Sequence, residues 1–142
     1  MSILQAAVGL FISILVAFAG ITGAKAMLHA GHVTSLESFI GNVSVSANEF
    51  GNVNESYVGL SCTSLSSANL SPSPCNSSNS FTTPFNTSIF VSPSSTNAGY
   101  IITIQDNGSF TVGDFNNICQ SLSSTATTCT PSYPSLTIHY GN

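Results

Sequence analysis

Ile-Leu-Gln-Ala-Ala-Val-Gly-Leu-Phe-Ile-Ser-Ile-Leu-Val-Ala-Phe-Ala-Gly-Ile-Thr-Gly-Ala runs from Ile3 to Ala24 without a charged residue. As an α-helix it would extend about 33 Å, enough to cross the hydrocarbon of a bilayer. Burying its roughly ten large apolar side chains is worth on the order of 15–30 kcal/mol, so the segment must be hidden from water. Lipid, a partner protein, or other copies of the chain can hide it. Nothing basic precedes the run, which argues against a secretory signal peptide despite the small-x-small Ala24-Lys25-Ala26. Lys25, at the far end of the run, is the one basic side chain in the sequence, so the Lys/Arg flank of an ordinary anchor is missing too.

The apolar pattern continues beyond residue 24. Leu28, Leu36, Phe39, Ile40, Val43, Ala47 and Phe50 recur at three- and four-residue spacing, the stripe of an amphipathic helix. The spacing predicts one helix of about 50 residues, apolar all round in its first half and one-sided in its second. This divides the chain into a hydrophobic helix over 1–25, a membrane span or filament core, and a globular head over 26–142 that includes the amphipathic half. A head of about 115 residues suits one small domain.

Charged residues make up 4% of the 142-residue chain, against about a quarter in typical soluble proteins. Ser, Thr and Asn supply the polarity instead. The net charge is −4, from Glu37, Glu49, Glu55, Asp106 and Asp114 set against Lys25. With no basic patch to neutralise phosphates, nucleic-acid binding is not expected. Cys62, Cys75, Cys119 and Cys129 all follow the helix, and an even count in so Ser/Thr-rich a chain predicts two disulfides in an oxidising compartment. Three pairings exist. Short loops favour Cys62–Cys75 with Cys119–Cys129, but sequence alone does not choose among them. No CxxC spacing occurs and His29, His32 and His139 are poorly placed for zinc, so neither a metal nor a cofactor is expected. Asp114, His139 and the many serines come with no nucleophile elbow, and catalysis is not expected either. Six Asn-x-Ser/Thr sequons occur, at Asn42, Asn54, Asn69, Asn76, Asn86 and Asn107, several of them expected by chance in this composition.

After Phe50 the stretch from Gly51 to Pro74 reads as a long surface connection rich in Gly, Asn, Ser and Pro. Thr87 to Val91 and Tyr100 to Ile104 read as strands. Asn107-Gly108 reads as a tight turn returning through Ser109 to Val112 as a hairpin partner. Asp114 is expected to cap a short helix through Phe115, Ile118, Cys119 and Leu122. Leu136 to Tyr140 alternates as a final strand. The outline is α+β: a long N-terminal helix, half protruding and half amphipathic, packed on a small antiparallel sheet.

This layout resembles a bacterial type IV pilin, type IVb subgroup, over nearly the whole chain. Met1-Ser2-Ile3-Leu4-Gln5 is similar to the mature N-termini of that subgroup. Phe50 through Tyr57-Val58-Gly59-Leu60 resembles its helix exit. Thr83-Pro84-Phe85 followed by Ile89-Phe90-Val91 and Tyr100 to Ile104 resembles its Asn-Pro-Phe turn and two strands. Ile118 to Leu122, then Cys129, then Leu136 to Tyr140 are similar to its C-terminal disulfide region. The resemblance implies a major pilin that polymerises into an extracellular filament for adhesion, motility or conjugative contact. A minor pilin or pseudopilin, or a lone membrane-anchored binding domain, are the alternatives. Met1 would be the processed, N-methylated residue. Ile3, Leu4, Gln5, Val8, Leu10, Phe11, Ile14, Leu15 and Phe18 would make the assembly contacts. Partners would be further copies of the chain, the inner membrane before assembly, a prepilin peptidase and the pilus assembly machinery. Gln5 stands where most of the family has glutamate, so it can accept a hydrogen bond from a neighbour's N-terminal ammonium but supplies no charge. Gly9, Gly20 and Gly23 allow close helix packing. Gly20 and Gly23 also weaken the helix, which suggests local unwinding near residues 20–24; a straight, closely packed helix is the alternative.

Overall fold

The computed structural model describes residues 31–84 and 86–141. The expected span from Ile3 to Ala24, its assembly residues, and the 25/26 boundary lie outside the described residues. So do Leu28, His29 and Phe85. The chain divides into two units, Met1–Thr34 and Ser35–Asn142. The packing below is that of the second.

Helix α1 covers 31–54. Leu36, Ile40, Val43, Ala47 and Phe50 repeat at alternating four- and three-residue steps, and all five are buried. The opposite face carries Ser38, Asn42, Val45, Glu49 and Val53, with Val45 and Val53 well exposed. No proline interrupts the helix. It ends where Glu55 takes a left-handed backbone, φ 59°. The helix therefore runs four residues into the stretch expected to be a connection.

That stretch also holds a second helix, α2, over Cys62–Ser67. The chain first turns at Tyr57–Leu60, closed by Leu60 N–H donating to the Tyr57 carbonyl at 3.0 Å. Gly59 occupies the third position with φ 79°, which a type II turn demands. Ser61 then caps α2 and trades hydrogen bonds with Ser64 in a capping box. At its far end Asn69 N–H bonds Ser66 O and Leu70 N–H bonds Leu65 O, a Schellman closure around left-handed Asn69. A box made with Ser64 instead of Glu or Gln, in a six-residue helix, gave no readable pattern. Cys62–Cys75 staples this segment. Phe81 N–H donates to Ile89 O at 2.8 Å, tying it to the sheet edge, while the Phe39 and Phe81 rings meet edge to face at 5.8 Å.

Four antiparallel strands, β1 Thr87–Pro93, β2 Gly99–Asp106, β3 Thr128–Ser132 and β4 Ser135–Gly141, form one sheet in the order β1-β2-β4-β3. The register aligns Val91, Ile102, Ile138 and Cys129 in one row across the sheet, and Ile89, Ile104 and Leu136 in the next. Every apolar residue of those rows except half-buried Cys129 is buried, whereas Phe90, Thr103, Thr137 and His139 on the other face are half-exposed. The inward rows and the α1 stripe close one core, in keeping with period-2 and period-3.6 patterns meeting on a common face.

Between β2 and β4 the expected hairpin partner at Ser109 to Val112 does not form. The buried Asp106 carboxylate accepts from Ser109 N–H at 3.0 Å and Phe110 N–H at 3.1 Å, taking donors that a ladder would need. Helix α3, Val112–Ser121, follows instead. Its cap is Thr111, not Asp114. Asp114, the third residue of α3, closes the capping box by accepting from Thr111 N–H at 2.8 Å. Phe115 and Ile118 of α3 are buried, and Cys119 joins Cys129 of β3 in the second disulfide. The two short-loop pairings favoured on sequence are thus the ones present. β3 was not expected. It is mostly exposed and polar, held by its two-residue connection to β4 through a cis Tyr133–Pro134 bond.

Each disulfide closes a short loop, with sequence separations of 13 and 10. By loop-closure entropy each contributes about 3 kcal/mol. Replacing Cys119 and Cys129 together by serine is expected to lower urea stability by about that amount, read as the unfolding free energy from midpoint and slope together, because the released unfolded chain exposes more surface.

Candidate functional site: a tyrosine-walled groove beside the helix

At the C-terminal part of α1 the head opens into a groove of about 370 Å³. Ser44 and Asn48 of the helix form one side, and Tyr57, Tyr100, Thr125 and Tyr140 complete it. The register places Tyr100 opposite Tyr140, and their rings stack at 4.9 Å with 15° between planes. Tyr57 leans on Tyr100 at 5.2 Å. Tyr100 OH donates to the Ser44 carbonyl at 3.3 Å and also bonds the Ser44 hydroxyl, while Tyr57 OH donates to Asn48 Oδ1 at 3.3 Å. Residues 57, 100 and 140 are far apart in sequence; only strand register and the Tyr57 turn bring them together, so no local pattern marks the cluster.

Gly51 makes room for the third ring. A Cβ at this position would lie 2.5 Å from Tyr57 Cε1 and 2.6 Å from its Cζ. Tyr57 is held there from two sides, its backbone N–H donating to Asn97 O at 3.2 Å and its hydroxyl to Asn48. A second shallow groove of about 380 Å³ lies on the other side of Tyr57, between Asn52, Glu55 and Asn97.

Burial pushes the Tyr100 phenol up to about 12, opposed by its hydrogen bond with Ser44 and aided by the neighbouring phenols. Burial likewise raises Tyr140. Tyr133 is raised, first by desolvation and then by its hydroxyl donating to Asp106 at 3.2 Å. The groove is therefore lined by neutral hydroxyls, amides and aromatic rings, chemistry suited to hydrogen-bonded packing rather than to proton transfer near neutral pH.

The other residues singled out on sequence are dispersed. Asp114 is the carboxylate partner of the Thr111 capping box on α3, and His139 stands half-exposed on β4; among the described residues no serine hydroxyl hydrogen-bonds to His139. Glu37 accepts from Ser121 Oγ at 3.4 Å. Among the described residues no three His, Cys, Asp or Glu side chains gather as a metal site. No helix among them is long and apolar enough to cross a membrane. The chain matches no known protein family, no curated protein and no solved structure.

Gly51→Ala is expected to destabilise the head by about 1–2 kcal/mol, because crowding Tyr57 outweighs the better helix propensity of alanine. In a Tyr57→Ala background the same change should be neutral or stabilising, a sign reversal that a double-mutant cycle measures. Because the Tyr100 pKa is raised in the fold, the unfolded chain loses this proton first. Stability should be flat up to about pH 10 and fall from there toward pH 12. Urea midpoints across that range check it, and Tyr100→Phe should flatten the fall.

Proposed function

We propose that this chain is the structural subunit of a type IV pilus-like filament at the cell surface. The observation that carries the reading is the join of two kinds of surface on one segment of chain. Residues 3–24 are apolar on every side in sequence, and α1, described from residue 31 onward, has one stripe sealed into a disulfide-stapled head. A head closed by its own core has no further use for an uncharged helix of that length. Copies of the same helix are a solvent for it that keeps its burial while the heads face water. Two disulfides favour an oxidising, extracytoplasmic setting.

In this reading the segment is stored in the inner membrane before assembly, and Met1 is exposed by a prepilin peptidase and methylated. Assembly exchanges lipid for neighbouring helices, with Ile3, Leu4, Val8, Leu10, Phe11, Ile14, Leu15 and Phe18 as the contacts. Gln5 receives a neighbour's terminal ammonium through a hydrogen bond without a compensating charge, which makes that pairing weaker than a carboxylate would.

Electron microscopy of material sheared from producing cells should show thin fibres composed of this chain. Ile14→Lys should abolish them, since an unpaired charge in a dry helical core is strongly disfavoured, while the head keeps both disulfides. Wild-type cells that yield only detergent-soluble monomer would overturn the reading.

A further inference from the structure

We propose that Asn76 is an N-glycosylation site, carrying an oligosaccharide on the surface loop that follows the first disulfide. All six sequon asparagines are exposed, so exposure does not separate them. Hydrogen bonding does. Asn54 spends its Nδ2 on the Phe50 carbonyl at 2.9 Å, and Asn86 spends its own on Asn107 O at 2.8 Å. In three others the hydroxyl two residues on is engaged: Ser44 with Tyr100, Ser71 with the Ser73 carbonyl, and Ser109 as acceptor from Asn86 N–H at 3.2 Å.

Asn76-Ser77-Ser78 is different. The Asn76 Oδ1 accepts from Ser78 N–H at 3.0 Å and from Ser80 N–H at 3.1 Å, which fixes which branch of the carboxamide is oxygen. Nδ2, the other branch, makes no hydrogen bond among the described residues, and neither does the exposed Ser78 hydroxyl. The loop is also held in place. Asn76 N–H donates to Ser80 O at 2.9 Å, Cys75 next to it is disulfide-bonded, and Asn79 Oδ1 receives both the N–H and the hydroxyl of Thr63. The acceptor nitrogen and the hydroxyl that marks the sequon are thus presented together on a fixed turn, and a transferase can reach them without unfolding the head.

The reaction needs a lipid diphosphate-linked oligosaccharide as donor. The sugar C1–O bond breaks, a C1–Nδ2 bond forms, Nδ2 gives up one proton, and the lipid diphosphate leaves. A glycan here would hydrate a head whose surface carries few charges, without altering its net charge.

Peptide mass spectrometry of the chain isolated from its own cells tests this. The peptide containing Asn76 should carry hexose-type mass increments. Asn76→Asp, which keeps the Oδ1 acceptor and the turn, should lose them while both disulfides and thermal stability persist. Ser78→Ala should lose them too, and Ser78→Thr should retain them. An unmodified Asn76 peptide, or increments that survive Asn76→Asp, would overturn the proposal. The inference does not depend on polymerisation: bare fibres would contradict the glycan alone, and glycosylated monomers would contradict the filament alone.

Discussion

Leu36, Ile40, Val43, Ala47 and Phe50 on α1 share one core with the inward rows of β1, β2 and β4, and the rest of the head is arranged around that burial. A one-residue slip in β2 or β4 would turn Ile102 and Ile104 or Ile138 outward, so the core fixes the register. The register in turn sets Tyr100 over Tyr140 and points Tyr100 at Ser44. It also places Cys129 on the Ile138 row, in reach of Cys119 on α3. The disulfides and caps lock an arrangement that hydrophobic pairing has already chosen.

Where a signal was periodic, the sequence was readable. The stripe on α1 from Leu36 and the alternation of β1 and β4 repeat over several residues, and the structure follows them. Where one side chain decided the outcome, it was not. Asn107-Gly108 has the composition of a hairpin turn, yet the carboxylate of Asp106 captures the next two N–H groups and diverts the chain into α3. α2 rests on a serine–serine cap, and β3 on its short tether to β4, neither of which leaves a hydrophobic period. The groove was illegible for a different reason. Its rings come from three distant positions, and the space for one of them depends on a glycine, Gly51, that reads as the end of the helix.

The scarcity of charge connects the head to the apolar segment before it. A chain with one basic residue has little electrostatic means of choosing partners or staying apart from its own copies. The exposed face of α1, the groove and the Ser/Asn-rich loops offer shape and hydrogen bonds with few charges among them. Such surfaces tolerate changes of salt and pH that would disrupt ion-paired contacts.

The proposed filament requires that residues 3–24 be surrounded by the same segment of neighbouring copies. A single photo-cross-linking residue in place of Leu15, activated in sheared cell-surface material, tests this directly. Copies packed around one another should give a ladder of covalent multiples joined through the apolar segment. Adducts to lipid or detergent alone, with every chain remaining monomeric, would contradict it.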